Sequence, residues 1–186
     1  AQAVLALKSG VYGTVLVVGV EKMTDIESGG VAEALMGAAS SEEERRSGIT
    51  FPGLYAMMAR SYMDEFGLTR EQLAQVPVKN HFHGSLNPLA HLSFCVTEGE
   101  VLASGMVSDP LRLLDCAPIS DGAAAVVLST KKRGHGEVKL VGSALASDSI
   151  SLTRRQSVTG IKATRLAAEA AFRQAGIERR EIDVVE

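Results

Sequence analysis

Apolar positions follow two rhythms along the chain. Thr14–Val20 (TVLVVGV) is an unbroken β-branched run, the pattern of a parallel strand buried on both faces. Ala123–Ser129 and Val138–Leu145 repeat that pattern, and Ile182, Val184 and Val185 suggest a last short strand. Helical spacing governs most of the rest. Residues 1–9 carry small and apolar side chains at that spacing, with Gly10 as a stop. Val31–Ala39 predicts a short helix, followed by the charged turn Ser40–Arg46. Pro52 suits the first turn of a helix reaching about Phe66, where Leu54, Tyr55, Met58, Tyr62 and Phe66 share a face and Gly67 ends it. Thr69 with Gln72 forms a capping-box pattern for a helix from Arg70, which Pro77 is expected to kink or end. A weaker helix is expected near Glu98–Ser104. Thr159 is expected to cap a helix over Ile161–Ala175, stopped by Gly176.

The element order is therefore strand, a long mostly helical stretch, strand, strand, helix, strand. Roughly a hundred residues between the first two strands is far beyond an ordinary crossover. The fold class is α/β, with an inserted, mostly helical subdomain capping the ligand end of the sheet. Glu21–Asp25 lies where the first strand ends, the side that faces the ligand crevice in open α/β sheets. Both chain ends fall inside predicted elements, so the sequence reads as a fragment.

Composition narrows the function classes. At 186 residues, with aromatics at 4% and no Trp, the chain packs with small side chains, as layered α/β proteins do. A formal charge of −3 argues against a nucleic-acid surface. The basic run Lys131, Lys132 and Arg133 reads as a solvated turn. Two cysteines, Cys95 and Cys116, make no disulfide framework and fit a reducing compartment, with the cytoplasm as default. No apolar run approaches the ~20 residues of a membrane span.

Three clusters have candidate chemistry. In the polar stretch Asn80–Ala90 (NHFHGSLNPLA), read as a loop, His81 and His83 join His91 and Cys95. Four such groups have the donor chemistry for zinc, although the spacing is irregular. The same stretch also reads as a plain connection or as a loop lining a substrate or cofactor pocket. Asp115–Gly122 (DCAPISDG) carries Cys116, but no base or oxyanion donor is adjacent in sequence, so a small buried cysteine is the simpler reading. Glu21, Lys22, Met23 and Thr24 sit at the strand end. No dinucleotide fingerprint, phosphate loop or serine-hydrolase elbow occurs.

Three stretches in order, VLVVGVEKMTD at 15–25, VKNHFHGSLNPLAH at 78–91 and DPLRLLDCAPISDGAAAVVLS at 109–129, resemble the thiolase superfamily. The similarity is to its sterol-carrier-protein-X type and to archaeal and bacterial acetyl-CoA acetyltransferases. The tail AAEAAFRQAGIERREIDVVE at 167–186 resembles the helix leading into the family's second core half. The resemblance implies a central piece of a layered α-β-α-β-α thiolase fold. Residues 1–25 would end the N-terminal core half, 26–114 form the inserted cap, 115–135 hold the last strand of that half, and 136–186 begin the C-terminal half. It further implies acyl transfer between CoA thioesters, through a nucleophilic cysteine placed just before Ala1 and acid–base residues after Glu186. Met23, Asn80, His81 and His83 are then the pocket-lining candidates. No permanently bound cofactor is implied, only a CoA thioester as substrate. Implied partners are acyl-CoA or CoA, further copies in a dimer or tetramer, and a small OB-fold protein. A thiolase-like retro-aldolase and a non-catalytic acyl-CoA-binding chain are the competing expectations.

Overall fold

The computed structural model describes residues 1–131, 134, 136 and 138–185. In chain order the helices and strands are α1 (Gln2–Lys8), β1 (Thr14–Glu21), α2 (Ser28–Leu35), α3 (Phe51–Phe66), α4 (Arg70–Ser85), α5 (Glu98–Ala103), β2 (Met106–Ser108), β3 (Leu111–Arg112), β4 (Gly122–Ser129) and α6 (Lys162–Ala175). They fall into two compact units. One comprises Ala1–Glu21, Gly122–Asp148 and the segment from Ile161 onward; the other comprises Lys22–Asp121 and Ser149–Gly160.

In the first unit β1 pairs antiparallel with β4, Thr14 opposite Ser129 and Glu21 opposite Gly122. This corrects the parallel, doubly buried strand expected from TVLVVGV. An unbroken apolar run is compatible with either strand direction, and nothing in it identifies the partner. Within this chain the ribbon is not covered: Leu16 and Val20 are 62% and 76% exposed, and Val127, opposite Leu16, is 58% exposed. The strands expected over Val138–Leu145 and from Ile182 are also corrected, since neither residue range forms a ladder among the described residues. A strand needs a neighbour for its N–H and C=O groups, and apolar character alone does not provide one. Residues 142–143 lie against α6 instead. A Cβ on Gly142 would sit 2.5 Å from the Ala171 carbonyl oxygen, so only glycine permits this approach. The Ser143 amide donates to Gln174 Oε1 at 3.0 Å. Ile161 occupies the N-cap position of α6 without a side-chain cap, correcting the role expected of Thr159. Lys132 and Arg133, from the predicted basic turn, lie outside the described residues; Lys131 is exposed.

The second unit begins its long helices as their sequences predict. Thr50 Oγ1 accepts the Gly53 amide at 3.2 Å, Pro52 stands in the first turn of α3, and Gly67 ends it at φ +68°. Thr69 and Gln72 form both halves of the capping box at the start of α4, at 2.9 and 3.2 Å. Two expectations fail in α4. It runs through Pro77 to Ser85, and residues 80–85 of the supposed polar loop are its last turns. A well-capped nucleus propagates at low cost per residue. Ala74 and Pro77 are buried, so packing holds the helix where propensity would break it. Thr97 and Glu100 repeat the capping box at α5. Ala74, Val96 and Val101 form a small core, covered by Val78, Leu102 and Leu114.

Residues 149–160 strap back onto residues 40–44 of the same unit. Glu43 accepts hydrogen bonds from the Ser151 hydroxyl, from Thr153 Oγ1 at 2.5 Å and from Arg154 Nε at 2.7 Å. Glu44, 6% exposed, accepts the Leu152 amide at 2.7 Å and the Ser40 amide at 3.0 Å. Further along the strap, the Thr159 hydroxyl donates to Glu65 at 2.6 Å, because a charged carboxylate outcompetes a capping role. The donors on Glu43, Ser151 first, hold its carboxyl down to about 2 from the usual 4.5. A depressed folded-state value contributes stability above the unfolded value and loses it as pH falls through the folded one. Wild type is therefore expected to be more stable than Glu43→Gln above pH 4.5, with the difference shrinking toward pH 2. Parallel thermal melts across that range check this. A pH-independent difference would show that the charge on Glu43 does not hold the strap.

Candidate functional site

Polar groups converge on a cavity of about 420 Å³ within the second unit. The third and fourth turns of α4 bring Pro77, Asn80 and His81 to it; the following loop brings His91, and the 114–120 segment brings Cys116 and Ser120. Asp115, also on this wall, is 5% exposed and ion-pairs with the Arg70 guanidinium. Its Oδ2 also accepts the Arg112 amide at 2.8 Å. Asp115 Oδ1 and the Nε and Nη1 of Arg70 are buried without hydrogen-bond partners.

The neighbour of the His81 imidazole determines its tautomer. His81 Nδ1 lies 3.2 Å from the Phe94 carbonyl oxygen, which can only accept, so Nδ1 carries the hydrogen. The ring also packs on Phe94 at 4.9 Å between centroids. In the neutral form the His81 ring keeps Nε2 as a hydrogen-bond acceptor. His91 Nδ1 lies 2.5 Å from Ser120 Oγ, which also lies 3.3 Å from the Pro118 carbonyl oxygen.

Cys116 is set up differently. Burial, and secondarily the charge of Asp115, push its thiol up. A thiol held protonated is a poor nucleophile, in keeping with a packing role.

Among the described residues, no three or more His, Cys, Asp or Glu side chains gather as they would around a metal ion. The His81, His83, His91 and Cys95 constellation is dispersed: His81 is bound to Phe94, His91 to Ser120, and the Cys95 thiol donates to Ser85 Oγ at 3.4 Å. His83, on the last turn of α4, stacks beside Phe82 at 5.5 Å and does not line the cavity. Met23 does not line it either. Its amide donates to Asp121 Oδ1 at 2.7 Å, as does that of Thr24 at 3.1 Å. Of the pocket candidates named from sequence, Asn80 and His81 are thus brought together, while Met23 and His83 are elsewhere. The structure adds His91 as a cavity wall, together with Ser120, 29 residues further along and without any local signal of the pairing.

A model of the thiolase N-terminal domain matches residues 1–132. The chain belongs to the thiolase family. This thiolase chain is 47% identical over 187 residues to an acetyl-CoA acetyltransferase of Methanothermobacter thermautotrophicus, covering 98% of this chain and 48% of that protein. It is 44% identical to the acetyl-CoA acetyltransferase of Methanocaldococcus jannaschii, over 100% of this chain and 48% of the relative. The thiolase chain thus spans about half the length of these relatives. Among solved structures it is similar to an Ltp2-ChsH2(DUF35) aldolase, with a TM-score of 0.81 and 28% identity, over 97% of this chain and 49% of that one. The α/β fold is thiolase-like. Among the described residues, no helix is long and apolar enough to cross a membrane.

Proposed function

We propose that this chain is part of an acyl-CoA C-acyltransferase that carries out thiolysis or Claisen condensation of CoA thioesters. The observation that carries this reading is 47% identity to an acetyl-CoA acetyltransferase across almost the whole chain. In the proposed reaction, a cysteine thiolate outside residues 1–186 attacks the thioester carbonyl, the C–S bond to CoA breaks, and the acyl group rests on the cysteine. Residues 1–186 supply pocket wall rather than nucleophile. Asn80 and His81, which line the cavity, contact the acyl-CoA; Met23 and His83 lie outside that wall. CoA thioester is the substrate, with no permanently bound cofactor. The protein is cytoplasmic and works as a homodimer or tetramer, with a small OB-fold protein as a further partner. The exposed apolar ribbon of β1 and β4 supports a longer parent whose remaining elements cover it, since uncovered apolar faces of this kind invite association.

The test is acetyl-CoA turnover by the full-length enzyme, wild type and His81→Ala. The expected result is acyl transfer by wild type and a KM about tenfold higher in the variant, the size of one lost hydrogen bond. The similarity to an aldolase at a TM-score of 0.81 supports a second reading, retro-aldol cleavage of a CoA-linked side chain. Cleavage without acyl transfer would favour that reading. A full-length protein that binds no CoA thioester would overturn both.

A further inference from the structure

We propose that Asp121 is a positioning residue that ties the cavity-wall segment 116–120 to the turn Lys22–Thr24, with His91 bracing that segment through Ser120. The inference rests on the acyl-CoA reading of the cavity. Asp121 stands at the end of the 114–121 segment, directly after the cavity-lining Ser120. Among the described residues, the donors to its carboxylate come from one three-residue turn. Oδ1 accepts the Met23 and Thr24 amides at 2.7 and 3.1 Å, and Oδ2 accepts the Thr24 hydroxyl at 2.6 Å and faces Lys22 Nζ at 3.0 Å. Two consecutive backbone N–H groups on one carboxylate fix the conformation of the turn. A side-chain contact alone would leave it free to swing. Both amides are consumed by this arrangement, so they shape the turn and are not offered to a ligand.

The segment carrying Asp121 is itself anchored from the cavity side. His91 Nδ1 is hydrogen-bonded to Ser120 Oγ at 2.5 Å, and Ser120 Oγ also lies 3.3 Å from the Pro118 carbonyl oxygen. The route from the cavity wall to the turn therefore runs from His91 to Ser120 by a hydrogen bond, to Asp121 along the chain, and to Thr24 by a second hydrogen bond. What the route requires at residue 91 is a hydrogen-bonding atom at the Nδ1 position, which an asparagine amide reproduces.

The experiment uses the full-length enzyme with Asp121→Ala, Asp121→Asn, Thr24→Ala, His91→Ala and His91→Asn. Two quantities are read: hydrogen exchange at the Met23 and Thr24 amides, and KM against kcat for acetyl-CoA, each on protein shown to be folded by circular dichroism. Asp121→Ala is expected to lose amide protection at both positions. Its kcat/KM is expected to fall up to about 10²-fold, mainly through KM, because the cavity-lining segment 116–120 loses its anchor to the turn. Asp121→Asn keeps acceptors for the amides but places an NH₂ against Lys22 and Thr24, and is expected to lie between Asp121→Ala and wild type. Thr24→Ala gives a milder form of the same pattern if Asp121→Ala does not fold. His91→Ala is expected to weaken protection, and His91→Asn to restore it. Retained amide protection in Asp121→Ala and Thr24→Ala would overturn the proposal. So would lost protection with unchanged KM, or a His91→Asn variant as impaired as His91→Ala. If wild type turns over no acyl-CoA, the functional reading fails separately, and exchange alone decides whether Asp121 holds the turn.

Discussion

Replacing Asp115 by alanine is expected to cost about 3–5 kcal/mol of stability, the penalty for leaving one member of a buried ion pair alone. The Arg70 and Asp115 side chains are only 17% and 5% exposed, so water does not screen the pair or solvate the survivor. The variant would strand the Arg70 guanidinium, two of whose nitrogens already lack partners, and would also release the Arg112 amide. The double variant Arg70→Met with Asp115→Leu is expected to recover most of the loss, because removing both charges also removes their desolvation cost. Urea unfolding of wild type and the two variants measures this. A single-variant cost below about 1 kcal/mol would mean that the pair behaves as a surface pair.

Glu44→Ala is expected to cost about 2–4 kcal/mol, from one buried and one half-buried amide losing their acceptor at about 1–2 kcal/mol each. Ser40 and Leu152 would both be left unpaired, and the 149–160 strap would lose its innermost anchor. The diagnostic readout is local. Limited proteolysis is expected to cut within 149–160 in the variant before any cut appears in α3 or α4. Simultaneous loss of all elements would show that the strap is not separately anchored.

Signals that act within one turn of chain were legible in the sequence. Pro52 and Gly67 bracket α3, Thr69 with Gln72 starts α4, and Gly176 ends α6 at φ +69°. Partner-dependent features were not. TVLVVGV carries no information about which strand it pairs with or in what direction, and Val138–Leu145 has strand composition without a strand partner. Pro77 and the run Asn80–Ser85 have poor helix propensity, yet they stay helical because the burial of Ala74 and Pro77 outweighs a cost of a few kcal/mol. For the site, Asn80 and His81 stood out as conspicuous polar residues, and both line the cavity. The His91–Ser120 and Asp121–Thr24 pairings connect residues 29 and 97 apart, and no spacing rule reaches that far.

The same long-range pairing has a consequence during synthesis. β1 pairs with β4 across the whole of residues 22–121, so the edge of β1 that faces β4 stays open until that stretch has been translated. At about 5–20 residues per second, the wait is on the order of 5–20 s. For that interval Leu16, Val18 and Val20 belong to an apolar strand with its β4-facing edge open, the kind of edge that nascent-chain chaperones shield.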